Sequence, residues 1–194
     1  MEQKTVYFEK PGGDENTAQT FALAKQRADE LGIKTFLVAS TVGNTAVKAV
    51  DALKGYKVII VTHAEGYRGP NTQELTDENK KIVEEKGGIV LTTTHALGGI
   101  HRALGVSTDG KPPAPTSAIG DIAALTLKMF SQGTKVACEI AAMAADAGLV
   151  KVDEEIVSIG GTGRGADTAL VIKADYTQKF FSMRVKELIC KPRL

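Results

Sequence analysis

The sequence predicts an α/β fold, a three-layer α/β/α sandwich around a mostly parallel sheet. Three observations predict it. Compact apolar runs, KTFLVA (Lys34–Ala39) and KVIIVT (Lys57–Thr62) among them, are too short for helices and apolar enough for buried strands. Stretches of helical spacing alternate with these runs, the pattern of βαβ units. The 194 residues are 43% apolar, enough for a sizeable core, and no linker, repeat or low-complexity segment divides them. A single domain over residues 1–194 is expected.

Each element follows from its local pattern. Thr5–Phe8 is a short extended candidate ended by Pro11, Gly12 and Gly13. Asp14–Leu31 reads as a helix, with Phe21, Ala24, Ala28 and Leu31 on one face and Gly32 as its stop. Lys34–Ala39 is a strand. Thr45–Lys54 is helical, with Ala46, Val47, Val50 and Leu53 on one face. Lys57–Thr62 is the clearest strand. A long loop, His63–Leu75, leads to a helix that Thr76 caps, with Asp77 and Glu78 suited to the helix dipole, and that ends near Lys86. Gly88–Thr92 is a strand, followed by a Thr- and Gly-rich turn, a short helix near His101 and a proline-rich loop, Ser107–Thr116. Two Ala-rich helices, Ile119–Phe130 and Thr134–Ala147, precede a Gly148 cap. Glu155–Ile159 and Ala169–Lys173 are strands on either side of a glycine-rich loop, and the tail Phe180–Cys190 suits a strand or a helix equally.

Composition excludes several functions. The net charge is +1, so no global field holds nucleic acid or an anionic membrane. Trp is absent and aromatics are 5%, which disfavours a base-stacking surface. No apolar run approaches the roughly 20 residues of a membrane helix, and no apolar segment follows Met1 as in a secretory signal. Two cysteines cannot form a disulfide framework, so a cytoplasmic location is expected.

The polar residues collect after the buried strands. Ser40, Thr41, Val42, Gly43, Asn44 and Thr45 follow one, Thr62 and His63 the next, Thr92, Thr93, Thr94 and His95 the third, and Gly160–Gly165 the fourth. If the strands are parallel, all four segments meet at the carboxyl edge, where open α/β sheets bind ligands. The first segment runs from strand directly into helix, and a helix start offers unpaired N–H groups to an anion. Its chemistry suits one phosphate, with Gly43 allowing close backbone approach. It lacks the Gly-Lys-Ser/Thr ending of a Walker A loop and the repeated glycines of the dinucleotide fingerprint. A plain helix cap by Ser40 or Thr41 explains it equally well. Gly161, Thr162, Gly163, Arg164 and Gly165 suit a backbone wrapped around a polar ligand, with Arg164 as a fork for phosphate oxygens. A hairpin turn is the alternative.

Other constellations are weak. The spacing of His95 and His101 is not that of helical metal ligands, and no metal is expected. There is no Gly-x-Ser-x-Gly elbow. Cys138 reads as core packing, and Cys190 lacks an activating pattern. Asp121 and Asp167 lie where caps or turns are commoner than bases.

The stretch FLVASTVGNTAVKAVDALKGYKVIIVTH (Phe36–His63) resembles the carboxy-terminal α/β domain of pyruvate kinase, and SIGGTGRGADTALVIKA (Ser158–Ala174) resembles its closing glycine-rich loop and strand. The chain as a whole resembles a small, mostly archaeal family of stand-alone proteins with this fold and no settled activity. In pyruvate kinases the Ser/Thr-Gly loop holds the phosphate of an allosteric sugar. Ser40, Thr41, Gly43, Asn44 and Thr45 match that loop, and Gly163, Arg164 and Gly165 match the second one more loosely. The catalytic barrel and lid have no counterpart, so the resemblance implies no pyruvate kinase activity. It implies FMN as ligand, with its phosphate on Ser40–Thr45 and its ring edge toward Thr92–Gly99. A sugar phosphate fits the residues as well. Two further functions stay open: a phosphosugar isomerase-like enzyme with His63 or His95 as base, and a regulatory module that the Ala-rich helices assemble into a homo-oligomer.

Overall fold

The computed structural model describes residues 4–100, 103 and 118–193. The short helix expected near His101 and the loop Ser107–Thr116 lie outside the described residues. In chain order the elements are β1 (Val6–Phe8), α1 (Asp14–Leu31), β2 (Thr35–Ala39), α2 (Asn44–Ala52), β3 (Lys57–Val61), α3 (Asp77–Glu85) and β4 (Ile89–Leu91). Then come α4 (Ile119–Lys128), α5 (Gln132–Asp146), β5 (Glu155–Gly160), β6 (Thr168–Lys173), a 3-10 turn (Thr177–Ser182) and β7 (Arg184–Pro192). The tail that suited either state is therefore a strand.

One seven-stranded sheet runs in the order β1-β7-β6-β5-β2-β3-β4. The pairs β5–β2, β2–β3, β3–β4 and β1–β7 are parallel. Only β6 is reversed, antiparallel to both β5 and β7. The central strands are buried on both faces: Phe36, Leu37, Val38, Ile59 and Ile60 are all fully enclosed, as their unbroken apolar runs require.

Helices cover both faces. Phe21, Ala24 and Ala28 of α1, Ala46, Ala49 and Val50 of α2, and Val83 of α3 pack on Phe36, Val38, Ile60, Val157 and Ile159. On the other face Ala137, Cys138, Ile140, Ala141 and Ala144 of α5 meet Leu37, Ile59, Ile156, Leu170 and Ile172. Alternation within each strand divides its side chains between these two cores. The small alanines let α5 lie close to the sheet. Gly32 and Gly148 end α1 and α5 in left-handed conformations, φ 72° and 69°, and the following N–H groups, of Ile33 and Leu149, reach back to Ala28 and Ala144 at 2.9 Å. Thr76 caps α3 by accepting from the Asn79 N–H at 3.2 Å.

Candidate functional site

Parallel β5, β2, β3 and β4 bring their carboxyl ends to one edge, so the four polar segments do converge. The same topology puts the starts of α1 and α2 at that edge, and α5 begins there too. A cavity of about 570 Å³ lies between them, within the range of small-molecule sites. Its lining includes Ser40, Thr41, Val42, Asn44 and Thr45 after β2, and Thr62 and His63 after β3. His95 after β4 and Gly161, Gly163, Arg164 and Gly165 after β5 line it as well.

Four expected residues do not line it. Thr93 is half-buried and Thr94 exposed, both beside the cavity wall that His95 supplies. Thr162 turns away, its Oγ1 enclosed without a hydrogen-bond partner. Gly43 also serves another purpose. It sits at φ 107°, and a Cβ there would stand 2.4 Å from Cβ of Asn79 and 2.8 Å from Cδ1 of Leu75. The close approach it permits is that of α3, which fastens to the same loop through the Asn79 Nδ2 bond to the Val42 carbonyl (2.9 Å).

The α2 start is open. Its N-cap residue, Gly43, supplies no side-chain cap, and the helix cap expected of Ser40 reaches one group only. Ser40 Oγ accepts from the Ala46 N–H at 3.2 Å, and the Val47 N–H closes on Gly43 O. The N–H groups of Asn44 and Thr45 have no partner among the described residues, and they lie at the positive end of the helix dipole. Lys48, one turn on, pairs with Asp14 of α1 at 2.7 Å.

The Gly160–Gly165 segment is a hairpin connection and a cavity wall at once. Gly160 pairs with Thr168 across β5 and β6. Asp167, fully buried, shapes the loop: its Oδ2 accepts from the N–H groups of Gly12 (2.9 Å) and Thr162 (3.1 Å), and its Oδ1 from the Thr168 hydroxyl. That makes Asp167 a turn residue. Gly13 N donates to the Arg164 carbonyl at 3.0 Å, which binds the loop to the β1–α1 connection. The exposed Arg164 guanidinium forms no ion pair among the described residues, unlike the other cavity cations.

The wall after β3 was not foreseen in full. His63 Nδ1 and Glu74 Oε2 are 2.6 Å apart, and Arg68 Nε lies 3.4 Å from Glu74 Oε1. The rings of His63, Tyr67 and His95 touch one another, with centroids 4.1–5.3 Å apart. On the far side Glu139, 4% exposed, pairs with Lys135 and accepts from the Leu97 N–H at 3.2 Å, which ties the segment after β4 to α5.

The family model for the pyruvate kinase alpha/beta domain matches residues 18–172. The chain belongs to that family. In this pyruvate kinase α/β domain the match runs from α1 to β6 and takes in every cavity wall except Asp14. Sequence patterns found the strand-end loops of the domain because hydroxyls and glycines cluster there. They missed Tyr67, Arg68, Glu74, Lys135 and Glu139, which carry no motif; the only signal was that the long loop and the α5 start both flank the same edge.

The domain's two thiols lie outside this chemistry. Burial pushes Cys138 up to about 12 and Cys190 to about 11, so both stay protonated and unreactive at neutral pH. Among the described residues no cluster of His, Cys, Asp or Glu could hold a metal, and no helix is long and apolar enough to cross a membrane.

Proposed function

We propose that this chain binds a phosphorylated small molecule at the carboxyl edge of its sheet, and that the molecule is FMN. The supporting observation is the α2 start, where Ser40 caps only the Ala46 N–H and the Asn44 and Thr45 N–H groups open on the cavity beside the unpaired Arg164. Two orphan N–H groups, the hydroxyls of Ser40, Thr41 and Thr45, and a free guanidinium are a donor set for one phosphate monoester. With a net charge of +1 the whole chain adds little attraction, so affinity rests on these local groups. The cavity volume and the half-buried aromatic wall fit the rest of FMN. When bound, FMN supplies hydride and electron transfer; the chain orients it.

The absorbance spectrum of the purified protein tests this reading. A flavin spectrum supports it, as does stabilisation by added FMN, about 2.7 kcal/mol at a hundred times the dissociation constant. A colourless protein that FMN does not stabilise rejects it.

A second reading has its own observation. The Glu74 carboxylate orients the His63 imidazole in the way general bases are oriented. A phosphosugar isomerase-like enzyme would use it to move a proton on a phosphate-anchored sugar. Stabilisation by sugar phosphates but not by FMN, with turnover lost in His63→Ala, selects this reading.

We also propose that a second copy of the chain covers α4. Ile119, Ile122, Leu125, Met129 and Phe130 are exposed there, Met129 to 84%. Ultracentrifugation of wild type and Ile122→Glu checks this: the substitution yields a monomer. The buried, unpaired thiols fit a cytoplasmic location.

A further inference from the structure

We infer that Lys135, held by Glu139, is an electrophile of this cavity: its ammonium takes the oxygen of a carbonyl while His63 removes a proton from the carbon beside it. The activity is enolisation, and the substrate class is a phosphorylated 2-hydroxy ketone or aldehyde. The inference rests on the second of the two readings above, the phosphosugar one, and adds to it the group that takes the negative charge.

Lys135 differs from the other cations of the cavity. Its side chain is 15% exposed, against 46% for Lys48 and 67% for Arg68. It pairs with Glu139, one turn on along α5, and the Leu97 N–H fixes that carboxylate from the other side at 3.2 Å. An ammonium has three N–H donors. One meets Glu139, and the other two have no partner among the described residues.

Packing does not require this pair. The neighbouring residues of α5, Ala137, Ile140 and Ala141, belong to the apolar core. The attraction within a buried ion pair roughly offsets its lost hydration, so an apolar pair of the same volume would stabilise the fold as well. A half-buried cation with unused donors on a cavity wall suits a place where negative charge develops during a reaction.

The base is on the same cavity. Glu74 Oε2 accepts from Nδ1 of His63 at 2.6 Å, so the neutral ring carries its proton there and Nε2 keeps its lone pair. That nitrogen forms no hydrogen bond among the described residues. In His95, by contrast, Nε2 already accepts from the Ala64 N–H at 3.4 Å.

Topology places these groups apart from the anion donors. α2 packs on one face of the sheet and α5 on the other. The α2 start and Lys135 therefore reach the cavity from opposite sides of the strand ends, and His63 follows β3 in the sheet itself. A molecule anchored by its phosphate at α2 extends its other end across those strand ends toward Lys135.

The step balances within the substrate and these groups. Nε2 takes the proton from the hydroxyl-bearing carbon, the C–H electrons form a C=C bond, and the carbonyl π electrons move to oxygen, beside the Lys135 ammonium. A proton returned from the imidazolium to the same carbon restores the substrate with a solvent hydrogen in place of the first. A proton returned to the neighbouring carbon gives the isomer, with the hydroxyl proton passed to the former carbonyl oxygen by way of Lys135.

Proton NMR of the full chain in heavy water with dihydroxyacetone phosphate, ribulose 5-phosphate and fructose 6-phosphate reads the exchange, and calorimetry with the same three reads binding. At least one of them is expected to lose the hydrogen beside its carbonyl. His63→Ala and Lys135→Met each slow this by about a hundredfold or more, while binding changes little. Lys135→Met leaves Glu139 buried without its partner. The double variant Lys135→Met with Glu139→Gln removes both charges, keeps an oxygen for the Leu97 N–H, and loses exchange equally. Glu139→Gln alone lowers kcat and leaves KM near wild type, and Lys135→Arg regains part of the rate; a merely structural pair would show neither effect in the folded protein. Binding of a sugar phosphate without exchange overturns the inference and leaves the phosphate anchor standing. Exchange that survives in the double variant also overturns it. If none of the three binds, the phosphosugar reading falls together with the inference.

Discussion

Asp167 Oδ2 accepts the N–H of Gly12 at 2.9 Å across 155 residues of chain, and the contact joins the connection after β1 to the glycine-rich loop after β5. The carboxylate is fully buried and serves the Thr162 N–H as well. Asp167→Ala leaves both donors buried without a partner. The expected loss is about 3 kcal/mol of unfolding free energy in urea denaturation, with Asp167→Asn milder because one oxygen remains to accept. On the proposed FMN reading, affinity falls in parallel, since the loop that carries Arg164 loses its anchor.

Gly43 and Gly163 separate packing from conformation. Both have positive φ, 107° and 70°. A Cβ on Gly43 collides with Asn79 and Leu75, while one on Gly163 meets nothing within 4 Å. Gly43→Ala is expected to cost about 3 kcal/mol and Gly163→Ala about 1 kcal/mol, read as shifts in the denaturation midpoint.

Thr41→Glu places a carboxylate at the cavity, near the open start of α2. A negative charge beside a helix N-terminus is favourable in the empty protein. The melting temperature of the ligand-free variant should therefore match or slightly exceed that of wild type. Binding of any phosphate ester should weaken by about a hundredfold or more, because the two anions then compete for the same donors. Equal phosphate affinity in the two proteins would remove the α2 start from the site.

Arg27 and Glu187 contribute to the pH dependence of stability. Two hydrogen bonds, 2.6 and 2.7 Å, join the guanidinium of α1 to this carboxylate of β7. The guanidinium holds the Glu187 carboxyl below the usual carboxylate range. A carboxylate lowered in the folded state adds stability above its unfolded value, about 4.3, and loses it as pH falls through the lower folded value. Glu187→Gln should flatten stability below pH of about 4.5 and lower it near neutrality. Denaturation curves at a series of pH values measure both effects.

The alternation of strands and helices was legible because each buried run is continuous and each helix keeps one apolar face. Two details were hidden by local appearance. The sequence reading starts α5 at Thr134, and glycine is unfavourable inside a helix. The helix begins at Gln132 under a Ser131 cap, and Gly133 is inside it because a Cβ there would stand 2.2 Å from Thr168 Oγ1. The tail could not be assigned by itself, since its strand state comes from pairing with β1 on one side and β6 on the other. At the candidate site the hydroxyl and glycine loops announced themselves. The His63–Glu74 pair and the Tyr67 ring did not, because a Pro- and Gly-containing loop has no period and brings its side chains together only when folded.

The pairing of β1 with β7 sets the order of events during synthesis. Val6 is matched to Cys190, and β1 has no other strand beside it. During synthesis β1 therefore stays unpaired until β7 is made, and the Gly12–Asp167 bond waits almost as long. β2, β3 and β4 pair among themselves with short separations and can assemble earlier. The aromatic wall thus precedes the glycine-rich wall opposite it, and that second wall is fastened only when Asp167 reaches Gly12.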